Sequence, residues 1–578
     1  VETFEVVPAE VDQAIRECGL FTSVSGDALD ELRDSFDGVR ITTDETLMRE
    51  GDVARELYVV RHGRLRATVA GRDGEDVVVG EIGKNEVVGE MAVITDQDRS
   101  ATIRAMRDTD LFRLPAEAFG DLVQRHPDML RPFATVVVNR LRSAMASPTR
   151  PALPATIVFL PVDDDDLIDF TRRLATQLHG YRSVVLTAED ARDRDNPAAW
   201  LLDIENRTEI ALLVADRDPT DWTRLCLRHA DRINIVANDR TGPGPISIET
   251  DAACRARFEQ VPVHLIMRYS RRPPTASWLR NRRVDSHVNV LRDSDDDRAR
   301  LARVMTGTAR VLVLGGGGAR GFAHFGVAQA LREAGIPYDG IIGTSAGAVV
   351  GGSLARIGDP VDAQEQTLDW FERARWRRDF NPPSVALMSG RIMSTGLQEL
   401  GDGYQIEDLP IAFAAVSCDL VTARPFVHDR GPLWQAVRAS GSVPGLFPPV
   451  AVEGRLLVDG GLVANMPSEI ARQRHPNAQL VAVEVGDPTD IDLSGIDGSG
   501  IVNGWDRVRR RGNAGGASLA KVMMRLTELG RHDSAEHADV VITPDVRGFG
   551  LVETGRARDI IRRGHDAAQR AIEDGLLP

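Results

Sequence analysis

Val311-Leu-Val-Leu-Gly-Gly-Gly-Gly-Ala-Arg-Gly321, with Gly340-Ile-Ile-Gly-Thr-Ser-Ala-Gly347 soon after it, decides how the second half of this chain is read. Val311–Leu314 is an uninterrupted β-branched and aliphatic run, the pattern of a strand buried on both faces. The glycines after it let several backbone N–H groups crowd around one point, because no Cβ stands in the way. A helical stretch then runs through Leu331 and stops at Gly335 and Pro337, as helix-end chemistry requires. Amides gathered at a helix start stabilise negative charge.

Two chemistries fit such a loop. Gly316-x-Gly318-x-x-Gly321 matches the dinucleotide fingerprint, which also needs a carboxylate at the end of the second strand. That place holds Ile341-Ile342-Gly343, which argues against a dinucleotide. The other candidate is an oxyanion hole, and the next segment favours it. Gly343-Thr-Ser345-Ala-Gly347 is G-x-S-x-G between a strand pattern and the helical run Ala348–Ile357, which ends at Gly358 and Pro360. Strand, tight turn and helix in that order expose a serine hydroxyl at the edge of a sheet, where the helix dipole favours its alkoxide.

A serine nucleophile needs a base. The histidines at 428, 475, 532, 537 and 565 lie in no recognisable motif, and His324 sits inside the first helix, where packing or support of the loop is expected. Arg455-Leu-Leu-Val-Asp459-Gly-Gly461 is a strand pattern ending in Asp-Gly-Gly; by itself it is also an ordinary strand-end turn.

Taken together, these motifs resemble the patatin-like phospholipases, whose marks are a Gly-rich loop with an Arg, a G-x-S-x-G elbow and a D-G-G or D-G-A turn carrying a catalytic Asp. Ala439-Ser-Gly-Ser-Val-Pro-Gly-Leu-Phe-Pro-Pro449 is similar to the family's A-S-x-A-x-P-x-x-F-P-P stretch, with Ser442 where Ala is usual. Asn465 and Pro467 match the N-x-P after the Asp turn. Trp278-Leu and Leu301–Gly307 resemble the bacterial neuropathy-target-esterase branch. The resemblance implies a Ser345–Asp459 dyad with no histidine, and backbone N–H groups of Gly316, Gly317, Gly318, Ala319 and Arg320 as the oxyanion hole. It implies no metal and no catalytic cofactor. An acyltransferase on the same scaffold, or a silent sensor without turnover, are the rival readings.

Nearer the N-terminus, residues 20–115 read as short strands broken by turns, including Glu56–Val69 around Gly63 and a hairpin at Gly71–Gly74. Pro115–Met145 turns helical, with Phe119, Val123, Leu130 and Phe133 at helical spacing, and Ser147–Pro154 reads as a linker. Val88-Gly-Glu90-Met-Ala and Arg99-Ser-Ala-Thr102 resemble the phosphate cassette of cyclic-nucleotide-binding domains. The resemblance implies that Glu90 binds the ribose 2′-hydroxyl, that Arg99 pairs with the cyclic phosphate, and that Gly89 and Ser100 cap it. The effector would be cyclic AMP or cyclic GMP.

Between these regions, Thr156–Leu160, Ser183–Leu186, Ala211–Ala215 and Ile233–Ala237 alternate with helical patterns, which predicts a parallel α/β layer. The Asp163–Asp166 run reads as a helix start rather than a metal site. The expected fold is therefore multidomain: an N-terminal β-roll with helices over 1–146, a middle α/β domain over 155–300, and a C-terminal patatin-like α/β hydrolase domain over 309–578.

Bulk properties describe a soluble globular protein and exclude some partners. The formal charge is −16, against nucleic acid as a partner and against simple capture by anionic lipid. The four cysteines show no paired spacing, as in a reduced cytosolic protein. Glu2, Glu5 and Glu10 interrupt the first twenty residues, so no secretory signal is expected there. With no long apolar window, contact with a lipid ester substrate would be peripheral, at the inner membrane face. The mixed segment Leu368–Phe380 is readable as a lipid-facing lid, but core packing of Trp370, Phe371 and Trp376 is the favoured reading.

Overall fold

The computed structural model describes every residue except 1, 5, 19–20, 22–26, 71–75, 96, 127–153, 164–165, 375–378, 381–384, 487–533, 552 and 578. These residues form two compact units, one of Val1–Arg268 with Arg282–His287, the other of Tyr269–Asn281 with Val288–Pro578.

The first unit holds a β-roll and a parallel sheet. In the roll, a five-stranded sheet (strands from Glu2, Asp37, Thr109, Glu56 and Val87) and a four-stranded one (from Thr46, Thr102, Leu65 and Asp76) are antiparallel throughout. Leu65–Ala70 and Asp76–Ile82 pair as the hairpin expected around Gly71–Gly74, whose tip lies outside the described residues. The helix after Pro115 is described over Ala116–Arg125, with Phe119 buried. Its expected continuation to Met145, including Leu130 and Phe133, and the linker at 147–153 lie outside the described residues.

The parallel layer contains Thr156–Pro161, Ser183–Leu186, Ile210–Val214 and Arg232–Asn238, as the alternation predicts, and a further strand, Val263–Tyr269. Asp166 directly precedes the helix Leu167–Ala175, and its carboxylate accepts from both Arg268 amino groups at 2.7 and 3.0 Å, so the acidic run does lead into a helix. Asp164 and Asp165 lie outside the described residues. Arg107, at the end of the roll's Thr102–Ala105 strand, is buried against the layer. It reaches Glu205 (3.2 Å), Asp231 (3.1 Å), Thr156 Oγ1 (3.1 Å) and the His229 carbonyl (2.9 Å). Burial pushes the Glu205 carboxyl up, but His229 and Arg107 outweigh it and hold the pKa at about 2.

In the second unit the sheet strands are β1 Arg310–Leu314, β2 Gly340–Thr344, β3 Ala412–Asp419, β4 Arg424–His428, β5 Val450–Val452, β6 Arg455–Asp459, β7 Gln479–Val483 and β8 Val540–Ile542. Their order is β5-β6-β3-β2-β1-β7-β8, with β4 also on β3. β3, β2, β1, β7 and β8 are mutually parallel. Tyr269–Asn281 and the chain from Val288 onward belong to this unit, while the strand Ser286–Leu291 is also the last of the six strands in the order of the parallel layer's sheet. Asn289 donates to the carbonyls of Glu407 and Leu409, the Ala276 amide bonds Asp408, and Trp278 is fully buried. Polar groups buried in this way hold the segment to its partners, since leaving them unpaired costs about 1–3 kcal/mol each.

Trp370 and Phe371 lie in the helix Pro360–Arg373 and pack inward, Phe371 edge-on to Phe322 at 5.3 Å. Core packing holds for these two rings; Trp376 lies outside the described residues.

Candidate active site

β3 brings the dyad together. Residues 415 and 416 pair with both β2 and β4, so those two strands occupy opposite edges of β3. Residues 417–419 pair with β4 and with β6, so β6 takes the edge that β2 leaves free. β2 and β6 therefore meet end to end: Thr344 lies opposite Val416, and Asp459 lies opposite Ser417. Ser345 leaves β2 at that junction.

The elbow itself is strained. Ser345 sits at φ 54°, ψ −117°, a region that side chains other than Gly rarely enter. The turn is tight enough that a Cβ on Gly347 would lie 2.1 Å from the Leu314 carbonyl oxygen, which accounts for the second glycine of the motif. The helix Ala346–Ile357 starts there, with the Ala348 amide on the Ser345 carbonyl at 3.0 Å.

Ser345 Oγ donates to Asp459 Oδ2 at 2.6 Å. Asp459 is fully buried, and Oδ1 accepts the Gly461 amide at 2.8 Å. Burial raises its pKa to about 6, against the lowering effect of these two hydrogen bonds. A carboxylate left with little solvation is a stronger base than an ordinary Asp, as proton removal from an alcohol requires.

The glycine loop lies against the serine: a Cβ on Gly316 would meet Ser345 Cβ at 3.1 Å and Asn465 Oδ1 at 2.6 Å. Three of the five loop amides are already committed. Gly316 donates to the Asn465 carbonyl (3.0 Å), Ala319 to Leu551 (2.8 Å) and Arg320 to Gly317 (3.2 Å). The amides of Gly317 and Gly318 donate to no backbone carbonyl among the described residues. The Arg320 side chain is buried and bonds the Phe549 carbonyl.

His324 is buried and holds the Gly315 carbonyl at 2.9 Å, with its pKa lowered by burial to about 4, so it supports the loop as a neutral ring. His428 pairs with Ser417 Oγ at 2.8 Å, and burial lowers it to about 4 as well. Among the described residues, the hydrogen bonds of these two histidines go to the Gly315 carbonyl and to Ser417, not to Ser345 or Asp459.

Sequence reasoning gave Asn465 only as a motif match and gave Ser440 no role. Asn465 bonds the loop through both its carbonyl and, at 3.4 Å, its side-chain amide on Gly316 O. Ser440 Oγ accepts the Ser345 amide at 2.9 Å.

In the first unit Gly89 and Arg99 are in contact. Gly89 has φ +85°, and a Cβ there would lie 2.5 Å from an Arg99 amino nitrogen. Arg99 donates to the carbonyls of Gly89 (3.0 Å) and Glu56 (2.7 Å). Arg99 and Glu90 are buried, whereas Ser100 is exposed.

Residues 312–472 match the patatin-like phospholipase family. The second unit thus carries a patatin-like phospholipase domain. Residues 39–126 match the cyclic nucleotide-binding domain, and 155–291 the neuropathy target esterase family P-loop like domain. The third match is to a P-loop like domain, yet the loop after Thr156–Pro161 has acidic residues in place of G-x-x-x-x-G-K-[ST]. Among curated relatives, the chain is 28% identical to lysophospholipase nte1 of Aspergillus fumigatus, over 94% of this chain and 42% of that protein. It is 28% identical to patatin-like phospholipase domain-containing protein 7 of Rattus norvegicus (83% and 40%). With domain-containing protein 6 of Pongo abelii the identity is 30% (82% and 39%). The chain thus spans about two-fifths of the length of these relatives. The patatin-like fold, the nucleotide-binding roll and the middle α/β layer are the three parts the sequence led us to expect.

Proposed function

We propose that this chain is a serine lipid acyl-hydrolase, a lysophospholipase or phospholipase, in which Ser345 is the nucleophile and Asp459 the base. The observation that carries the reading is the 2.6 Å hydrogen bond from Ser345 Oγ to a fully buried carboxylate. Asp459 takes the hydroxyl proton as Oγ attacks the ester carbonyl. The amides of Gly317 and Gly318 hold the resulting oxyanion, each donor contributing about 3 kcal/mol. Collapse of the tetrahedral species breaks the ester C–O bond, and Asp459 returns the proton to the leaving alcohol. A water then attacks the acyl-serine with Asp459 again as base, releasing the fatty acid. The names of the relatives support a lysophospholipid as substrate.

The site faces the end of the sheet where apolar side chains stand in solvent: Leu420 and Leu456 are 46% and 43% exposed and Val421 81%. They follow β3 and open β6, just beyond the dyad, and support peripheral contact with a membrane from the cytosolic side. No described helix is long and apolar enough to cross a membrane.

The first unit we assign to sensing cyclic AMP or cyclic GMP through Gly89, Glu90, Arg99 and Ser100. The fit rests on Gly89, where the missing Cβ makes room for the Arg99 guanidinium. A bound cyclic nucleotide would bring a phosphate for Arg99 to pair with and a ribose hydroxyl for Glu90 to accept from.

The test is covalent labelling by a fluorophosphonate, alongside release of fatty acid from lysophosphatidylcholine. Wild type should label and hydrolyse, and Ser345→Ala should do neither; equal hydrolysis by Ser345→Ala overturns the reading.

A further inference from the structure

We propose that Ser440 is a positioning residue for the reaction, holding the strained elbow in register with the carboxylate. The proposal rests on the Ser345–Asp459 reading and adds a third side chain to it. Ser440 ends the helix Leu433–Ser440 and is fully buried. Its hydroxyl accepts the Ser345 amide at 2.9 Å and donates to the Val416 carbonyl at 2.6 Å.

Both contacts matter because of where they fall. The Ser345 amide donates to no backbone carbonyl among the described residues, and the Ser440 hydroxyl is the acceptor it meets. Val416 is the last β3 residue that pairs with β2, and its neighbour Ser417 is the first that pairs with β6. The same Val416 carbonyl is packed against Gly460, where a Cβ would lie 2.2 Å away, directly after Asp459. One hydroxyl therefore ties the nucleophile's backbone to the point where the base's strand begins. Two residues on, the Ser442 carbonyl accepts the Asp459 amide at 3.0 Å, so the turn 440–442 is bonded to both members of the dyad.

A Ser440→Ala change leaves a buried amide and a buried carbonyl each short of a partner and frees the elbow to relax. The resulting misplacement lengthens the Ser345–Asp459 hydrogen bond. That bond lowers the pKa of Asp459, so weakening it moves the acid limb of the activity profile to higher pH. Among the described residues the groups that shift Asp459 are burial, Ser345 and Gly461; the ionisable neighbour that responds to it is Cys418 on β3.

The experiment uses the full chain and a water-soluble ester. Ser440→Ala is expected to lower kcat by about ten- to a hundredfold with KM little changed. Fluorophosphonate labelling should slow in step, and the acid limb should move up. Ser440→Cys keeps the shape and a weak donor and should recover part of the rate. A residue that only fills space moves stability and leaves the pH profile alone, so an unshifted acid limb and wild-type labelling in folded Ser440→Ala overturn the proposal. If Ser345→Ala is inactive while Ser440→Ala is normal, only the role of Ser440 falls. If Ser345→Ala still hydrolyses the ester, the dyad falls and Ser440 with it.

Discussion

Replacing Asp459 by Asn should inactivate the chain and stabilise it, with a pH dependence fixed by the buried carboxyl. Burial raises the Asp459 pKa from an ordinary 3.8 to about 6, so the native state binds this proton more tightly than the unfolded chain does. Stability from this group is then fully present below about pH 4, falls as pH rises, and is lost once pH passes 6. Above pH 6 the ionised carboxylate costs about 3 kcal/mol. Asparagine avoids that cost, and it keeps both contacts, accepting from Gly461 through Oδ1 and donating to Ser345 Oγ through Nδ2. The variant should therefore unfold at higher temperature than wild type at pH 8, by on the order of 5 °C for a unit of this size, and at the same temperature at pH 4. Calorimetry of both proteins at the two pH values measures this directly. Hydrolysis should fall by about 10²–10⁴-fold, since no base remains. In wild type, kcat/KM should rise with pH through about 6, where Asp459 loses its proton. An Asn variant less stable than wild type at pH 8, or equally stabilised at pH 4 and 8, would refute the claim that the base is made by desolvation.

Gly316→Ala should cut activity by about tenfold or more with little loss of fold, because its methyl group would press on Ser345 Cβ and Asn465 Oδ1; ester hydrolysis set against circular dichroism checks it. Arg99→Ala should abolish the heat of cyclic nucleotide binding in isothermal titration, and no heat from wild type with either cyclic AMP or cyclic GMP removes the sensor. Arg107→Ala leaves Glu205 and Asp231 buried without their cation, so the first unit should lose about 3–5 kcal/mol in denaturant unfolding. Val421→Glu should lower the hydrolysis of lysophospholipid on phosphatidylcholine vesicles relative to a soluble ester; an unchanged ratio removes this tip from the membrane contact.

Much of the site was legible in the sequence because its parts are local. Gly343–Gly347 encodes a turn that only small residues can close, and the Gly315–Gly321 run encodes a loop whose amides are free to converge. The four alternating runs between 156 and 237 became strands, since apolar runs of that length between helices have few other ways to bury themselves. Val263–Tyr269 escaped notice, its pattern interrupted by His264 and Arg268 near the expected end of the layer.

Asp459 is different. Asp-Gly-Gly ends many strands, and only the family likeness marked this one as a base. It lies 114 residues from Ser345, and what joins them is the shared edge of β3, which β2 leaves and β6 takes up. Ser440 is bonded to Ser345 across 95 positions and Asn465 to Gly316 across 149, through hydrogen bonds to backbone whose partners the motifs around them do not name. The loop amides were counted as five equivalent donors from sequence, whereas the folded chain spends three of them on carbonyls of Asn465, Leu551 and Gly317. Sequence alone set which backbone shapes were possible, because glycine placement and apolar spacing act within a few residues. Which carboxylate is desolvated, and which amides remain to meet an oxyanion, was decided by strand order, because both depend on what distant segments cover.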